Sequence, residues 1–537
     1  MWFRRLTASP RMMYRNKMNQ HRVVLFLLAA SFAPLHSQVT PMDVTFAGLS
    51  ARSAQLAYQQ AGGDMTSITP LLSQASNSDK TAAYRALTHA ITLMNKRDWT
   101  PAAELTTALD FSIGSKVIGT GEYLATRATF LFDAPAATQP PYRMQLELLK
   151  ADGSPDAAIE PGIVLGDVRG RRGGETIGLT FDPSKITHPG LHLIRATLKD
   201  GQSKTIFEYY RSFFIVEDLT KREEAAMKTL DLLPNQTSDA AMAARQILGT
   251  IALAHQTYYG TGFQNLAGYI FTGMRAAGLG ATEPMDFEKA LTRATALATA
   301  LKEGQDPLAN ARGDIALAYR STFDGKLVPY RIYIPTKYDK SKHYPLVVLL
   351  HGAGGDETNF VEAYEKLWPK LAEERGYILA SVNGRGPLSG YRKDNGGEQD
   401  VLDVLDLVKD RYNIGPVYLG GHSMGGAGTW LIGMKYQDRF AGLIPIAGSS
   451  GLVVPSLEAE AKMPRKMPIM IVCGVKDALV AVAGCRTAAA KAKELNLPVK
   501  YAEYADGDHL SVAVMSIPDI FNWLDEQAKS SMSAKSH

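Results

Sequence analysis

From about residue 310 onward short apolar runs alternate with stretches of helical spacing, and few folds accept that order. The runs Leu346 to Leu350, Ile378 to Val382, Val417 to Leu419, Leu443 to Ile446, Ile469 to Cys473 and Val499 to Tyr504 have the length and composition of strands. Ahead of them, Ile315 to Phe323 and Val328 to Ile334 flank the turn Asp324-Gly325 and read as an antiparallel pair. Strand and helix in alternation predict a mostly parallel sheet with helices on both faces. Functional groups in such a sheet gather beyond the carboxyl ends of its strands.

One of those ends carries a serine between glycines, in VYLGGHSMGGAGTW, Val417 to Trp430. A strand turning sharply into a helix must pass close to neighbouring backbone, so the positions two before and two after the turn residue favour minimal side chains. Gly421 and Gly425 meet that need. Ser423 is then held at the tip, hydroxyl exposed and close to a helix N-terminus, the arrangement of a nucleophile elbow. The pattern alone also occurs at purely structural strand-to-helix turns.

HGAGG, His351 to Gly355, follows another strand and suits a loop that offers a backbone amide to an oxyanion. Ala353 is the expected donor, with Gly354 next to it, and Met424 supplies the second amide; His351 is read as orienting the loop. In the order nucleophile, acid, histidine, only His509 and His537 come late enough to serve as base, and His509 stands in the polar loop ADGDHLSV after a strand. Asp477, just beyond Ile469 to Cys473, is the expected orienting acid, whereas Asp506 and Asp508 are too near His509 in sequence to face its ring easily. The loop from Asn383 to Gly397 is expected to wall the pocket, with Arg385 and Tyr391 as substrate contacts.

VVLLHGAGG, GGHSMGGAGTW, VCGVKD and GDH, in this order, resemble the α/β-hydrolase esterases of the feruloyl and acetylxylan esterase, polyhydroxybutyrate depolymerase and "predicted peptidase" branch, over the chain from about residue 310 to its end. The resemblance implies an α/β-hydrolase fold and a serine hydrolase without a cofactor, acting on carboxylic esters of polysaccharide or other polymer through an acyl-enzyme. No HExxH, CxxC or P-loop pattern is present, and no metal site is expected.

The chain is too long, at 537 residues, for one ordinary core. Residues 1–37 hold Arg4, Arg5, Arg11, Arg15, Lys17 and Arg22, no acid, and the short apolar run Val23 to Ala33, which reads as an export signal. The formal charge of +4 arises there, so a nucleic-acid partner is not suggested. A secreted or periplasmic protein with no membrane span after signal removal is expected. Its two cysteines, Cys473 and Cys485, could pair in an oxidising compartment, but Cys473 is read in preference as a small buried hydrophobe.

Between signal and hydrolase the texture changes: helical spacing over 44–104, alternating strands over 105–217, helices again over 218–306, then the catalytic domain over 307–530. Met144, Leu146 and Leu148, then Ile177, Leu179 and Phe181, then Ile194, Ala196 and Leu198 alternate with polar residues, which suggests an immunoglobulin-like β-sandwich. Thr220 with Glu223 reads as a capping box, and Ser238 as the cap of the next helix. The segment 44–305 is expected to pack near the carboxyl edge of the hydrolase sheet and to form one wall of the entrance. Two other functions fit less well. A serine peptidase of prolyl-oligopeptidase type would share the triad but should carry propeller repeats, and a non-catalytic carbohydrate or surface-binding protein would not need every triad member.

Overall fold

The computed structural model describes residues 39, 41–133, 142–154, 171–181, 188–256, 285–448 and 453–533. The segment 1–37, read above as an export signal, lies outside the described residues. The described part opens with four helices, α1 (Pro41–Gln60), α2 (Thr69–Ser76), α3 (Lys80–Met94) and α4 (Pro101–Ala108). Asp79 and Thr100 cap α3 and α4 through their side-chain oxygens, which take amides of the first turn.

Seven strands follow: β1 (Leu109–Ile113), β2 (Val117–Gly119), β3 (Leu124–Phe130), β4 (Arg143–Lys150), β5 (Thr176–Phe181), β6 (Gly190–Lys199) and β7 (Thr205–Val216). They form a three-stranded sheet, β1-β3-β5, and a four-stranded sheet, β2-β7-β6-β4. Met144, Leu146 and Leu148 of β4 are buried with Ile194, Ala196 and Leu198 of β6 against Phe111, Leu124 and Phe130 of the other sheet, so the two sheets share one core.

Among the described residues, three helices, α5 (Leu219–Asp231), α6 (Asp239–Gln256) and α7 (Phe287–Lys302), come next. The cap at Ser238 forms, its hydroxyl accepting the Ala241 amide at 3.2 Å. The capping box expected at Thr220 does not: Asp218 occupies the cap position without a side-chain bond, and the Thr220 hydroxyl donates to Glu122 instead. Helix α5 begins at Leu219, so Thr220 lies inside its first turn and not at its cap.

The remaining strands are β8 (Gly313–Arg320), β9 (Leu327–Ile334), β10 (Tyr344–Leu350), β11 (Ile378–Val382), β12 (Ile414–His422), β13 (Gly442–Ile446), β14 (Ile469–Gly474) and β15 (Val499–Tyr504). They make one eight-stranded mixed sheet in the order β15-β14-β13-β12-β10-β11-β9-β8. β10 to β15 pair in parallel, and β8 and β9 run antiparallel at one edge. The flanking helices are α8 (Leu367–Arg375), α9 (Gly397–Arg411), α10 (Met424–Lys435), α11 (Val453–Glu460), α12 (Val482–Glu494), α13 (Ser511–Met515) and α14 (Ile517–Ser533).

Apolar side chains cover both faces of this sheet. Leu346, Val348 and Leu350 face Val401, Val404 and Leu405 of α9, while Val347 and Leu349 face Trp368 of α8 and Phe521 of α14. Burial on both faces explains the uninterrupted apolar run of β10. Helix α6 packs on β8 and β9, Arg293 of α7 donates to the Ala316 carbonyl of β8, and Asp239 pairs with Arg411, just before the amino end of β12. Among the described residues, these helices thus meet the eight-stranded sheet at its β8–β9 edge and amino end, not at the carboxyl edge expected from the sequence.

Candidate active site

Chain direction brings five segments to one side of the sheet: Ser423 after β12, His351 to Gly355 after β10, Asn383 after β11, Asp477 after β14 and His509 after β15. At Ser423 the backbone takes φ 57° and ψ −114°, a conformation that costs a non-glycine residue about 1–3 kcal/mol. Packing holds it there. The Ser423 amide donates to the Ile446 carbonyl of β13 at 2.9 Å, and its carbonyl accepts the Ala427 amide at 3.0 Å. A side chain at Gly425 would fall on the Leu350 carbonyl, and one at Gly421 on the Gly425 carbonyl. These glycines let α10 start directly against β10.

The Ser423 hydroxyl lies 2.8 Å from His509 Nε2, and His509 Nδ1–H donates to Asp477 Oδ2 at 2.8 Å. Asp477 is buried, and its other oxygen accepts the amides of Leu479 and Val480 at 2.9 and 2.7 Å. Those bonds orient the carboxylate toward the ring. Asp506 and Asp508 are engaged elsewhere, the first with Lys476 and the second with the amides of Leu510 and Ser511. The structure therefore brings together Ser423, His509 and Asp477 and leaves the competing acids outside.

Gly352 sits against the elbow, where an added Cβ would stand 3.3 Å from that of Ser423. The following residue, Ala353, is exposed, and among the described residues its amide has no backbone acceptor. Met424 opens α10, where first-turn amides have no partner within the helix. Gly354 is a different case: its amide donates to the Pro387 carbonyl at 2.8 Å, which removes it as an oxyanion donor. His351 is buried, and its Nε2–H donates to the Asn383 carbonyl at 2.8 Å, tying the loop after β10 to the loop after β11.

Arg385 and Tyr391 are not pocket contacts. Tyr391 is fully buried, its hydroxyl donating to the His351 carbonyl at 3.2 Å and its ring packed against Gly384 and Gly428. Arg385 is committed to Asp324 and buried Asp400, each at 3.0 Å, with its guanidinium over the Phe323 ring. Both hold the loop in place from beneath. Burial pushes the Asp400 carboxyl up to about 6 against the opposing pull of Arg385.

Two site neighbours escaped the sequence reading. His422, directly before Ser423, is buried; its Nε2–H donates to the His509 carbonyl at 2.7 Å, and the Tyr364 hydroxyl lies 3.4 Å from its Nδ1. Burial, reinforced by neighbouring His509, pushes its pKa down to about 3. Glu357, in the loop that carries Ala353, accepts Asn383 Nδ2–H at 2.7 Å, and burial raises its carboxyl with Asp356 adding to the effect. A histidine abutting the nucleophile was the available signal for the first; nothing local marked the second.

Cys473 and Cys485 are joined in a disulfide, which corrects the preferred reading of Cys473 as a free buried hydrophobe. Its apolar surroundings were legible, but the pairing depends on how α12 returns over β14.

Residues 345–466 match the family model described as alpha/beta hydrolase fold. A lysophosphatidylserine lipase of Xenopus tropicalis is 35% identical over 99 residues, 17% of this chain and 24% of the lipase. Dipeptidyl-peptidase 5 of Porphyromonas gingivalis is 24% identical over 261 residues, 39% of this chain and 37% of the peptidase. The match thus spans only a quarter to about a third of the length of these curated relatives. Among solved structures, a thermostable esterase aligns over 77% of this chain and 99% of its own at 15% identity, with a TM-score of 0.35. With the eight-stranded sheet, the serine elbow and the family match in hand, the C-terminal part of this chain, from β8 to α14, is an α/β-hydrolase domain.

Proposed function

We propose that this protein is an exported serine hydrolase that cleaves carboxylic esters, with Ser423 as nucleophile, His509 as base and Asp477 as its orienting acid. The observation that carries the reading is the continuous hydrogen-bond chain from the Ser423 hydroxyl through His509 to buried Asp477 on a strained elbow. His509 takes the serine proton as Oγ attacks the ester carbonyl, and the Ala353 and Met424 amides receive the oxyanion. The imidazolium then protonates the leaving alcohol, and water removes the acyl group by the same route.

Residues 1–37 are proposed as the export signal; a disulfide in the catalytic domain suits an oxidising destination. The proposed domains are 44–104, 105–217, 218–306 and 307–530. For 105–217 we favour an immunoglobulin-like sandwich, because the strand orders β1-β3-β5 and β2-β7-β6-β4 suit its two facing sheets. A polymeric ester is the proposed natural substrate, because such an accessory half is a large addition for small soluble esters.

Peptide hydrolysis is the second reading, favoured by the similarity to a dipeptidyl-peptidase. Purified protein and Ser423→Ala, assayed on aryl, acetyl-sugar, hydroxycinnamoyl, polyester and peptide substrates, separate the readings. Alcohol release that disappears in Ser423→Ala supports the esterase; amine release alone moves the assignment to peptidase; no labelling of Ser423 by a fluorophosphonate removes both.

A further inference from the structure

We propose that the Cys473–Cys485 disulfide is a positioning element that keeps the Asp477 carboxylate aimed at His509, an inference resting on the triad roles given above. The acid loop leaves β14 at Gly474 and enters α12 at Val482. Its entry side is zipped to the histidine loop: Val475 and Lys476 donate their amides to the Tyr504 and Gly507 carbonyls, each at 2.9 Å. Its exit side differs. Ala481 precedes α12 with no side-chain cap, and the first turns of α12 are held by the Arg486–Glu503 ion pair to β15 and by a covalent tie from Cys485 back to Cys473, twelve residues earlier.

Asp477 is fastened to that exit side. One carboxylate oxygen accepts the Leu479 and Val480 amides, and the other accepts His509 Nδ1–H. Displacing Leu479 and Val480 therefore turns the carboxylate away from the imidazole. Both cysteines are buried, so the bridge also excludes solvent beneath the loop. Activity is then linked to oxidation. A dithiol that reduces the bridge supplies two electrons and two protons, forms two thiols and itself becomes a disulfide, and the acid loop loses its covalent exit tie, leaving the Arg486–Glu503 pair alone to hold the start of α12.

The test compares native enzyme, dithiothreitol-reduced enzyme with its free thiols counted, and the double variant Cys473→Ala/Cys485→Ala. Rates are normalised to serine titrated with a fluorophosphonate. Loosening should lower kcat by about 10- to 100-fold with little change in KM, as expected for a misplaced group. The other groups facing the His509 ring, namely Ser423, His422 and neighbouring Asp508, are unchanged in every preparation. The far-downfield proton resonance of His509 Nδ1–H reads the contact without any substrate and should weaken on reduction. Its weakening in a protein that hydrolyses no ester would sink the esterase reading yet support the positioning role. An unchanged resonance and kcat per titrated serine, with only a lower Tm, would show that the bridge merely stabilises the fold. Should the double variant fail to fold, the resonance of the reduced native protein decides.

Discussion

His422 Nε2–H donates to the main-chain carbonyl of His509 at 2.7 Å, so the residue before the proposed nucleophile fixes the backbone of the proposed base. The two rings lie 5.0 Å apart between centroids. His422→Phe should leave that carbonyl unpaired, at a cost of about 1–3 kcal/mol in stability, and should lower kcat by roughly 10- to 100-fold through misplacement of His509. His422→Gln keeps a donor and should recover most of the loss. Equal impairment of both variants, per titrated serine, would show that His422 contributes packing alone.

The same histidine sets an acid limit on stability. Its folded pKa of about 3 lies below the ordinary 6.5 because burial, aided by His509, disfavours the charged ring. The unfolded chain therefore binds more protons between these values, and stability must fall as pH drops through that window, by up to a few kcal/mol. Denaturant titrations at several pH values should show a steeper acid-side loss in the native protein than in His422→Gln. Parallel pH dependences would contradict the assignment.

Asp477→Asn should lower kcat by roughly 10⁴ by favouring the wrong tautomer of His509. Asp506→Asn should be nearly silent, because Asp506 is an exposed partner of Lys476. Asp508 receives the Leu510 and Ser511 amides beside the histidine loop, so its replacement should affect stability more than the chemical step. A collapse of kcat in Asp508→Asn with Asp477→Asn unaffected would reverse the assignment of the acid.

Elements whose signal is local were legible in the sequence. Gly421 and Gly425 announce the elbow because a side chain there would collide with backbone, and the apolar runs place Asp477 and His509 after neighbouring strands. Ser238 was readable as a cap because its partner lies three residues away, whereas Thr220 was misread because α5 starts one residue before it, at Leu219, and its hydroxyl turns to Glu122, far back in the chain. Arg385 and Tyr391 failed for a related reason. Sequence places them in a loop beside the pocket, but the direction of a loop side chain follows from partners such as Asp324 and the His351 carbonyl, which only the fold assembles.

That correction has its own consequence. Arg385→Met removes the cation beside fully buried Asp400 and should destabilise the protein by about 3–5 kcal/mol. KM for small esters, measured on the fraction that remains folded, should stay near that of the native enzyme. A large rise in KM with unchanged stability would restore Arg385 as a substrate contact.

The helical segment before the hydrolase domain yields the last prediction. Helix α6 lies on β8 and β9, Asp239 pairs with Arg411, and Arg293 reaches the Ala316 carbonyl of the edge strand. A fragment beginning at Leu308 uncovers that edge and the apolar surface beneath α6, which invites strand pairing between copies. It should show a lower Tm and self-association, while still hydrolysing a small aryl ester at a rate per titrated serine close to that of the full chain, because the triad lies at the carboxyl ends of other strands. A fragment beginning at Leu219 retains α5 to α7 and should recover the monomer. If it also recovers activity on polymeric esters, the two small sheets are dispensable for substrate. If polymer turnover returns only with residues 44–218 present, binding energy from the remote part of the substrate is being collected there. Loss of aryl-ester turnover per titrated serine in the Leu308 fragment would instead show that the helices hold the site itself.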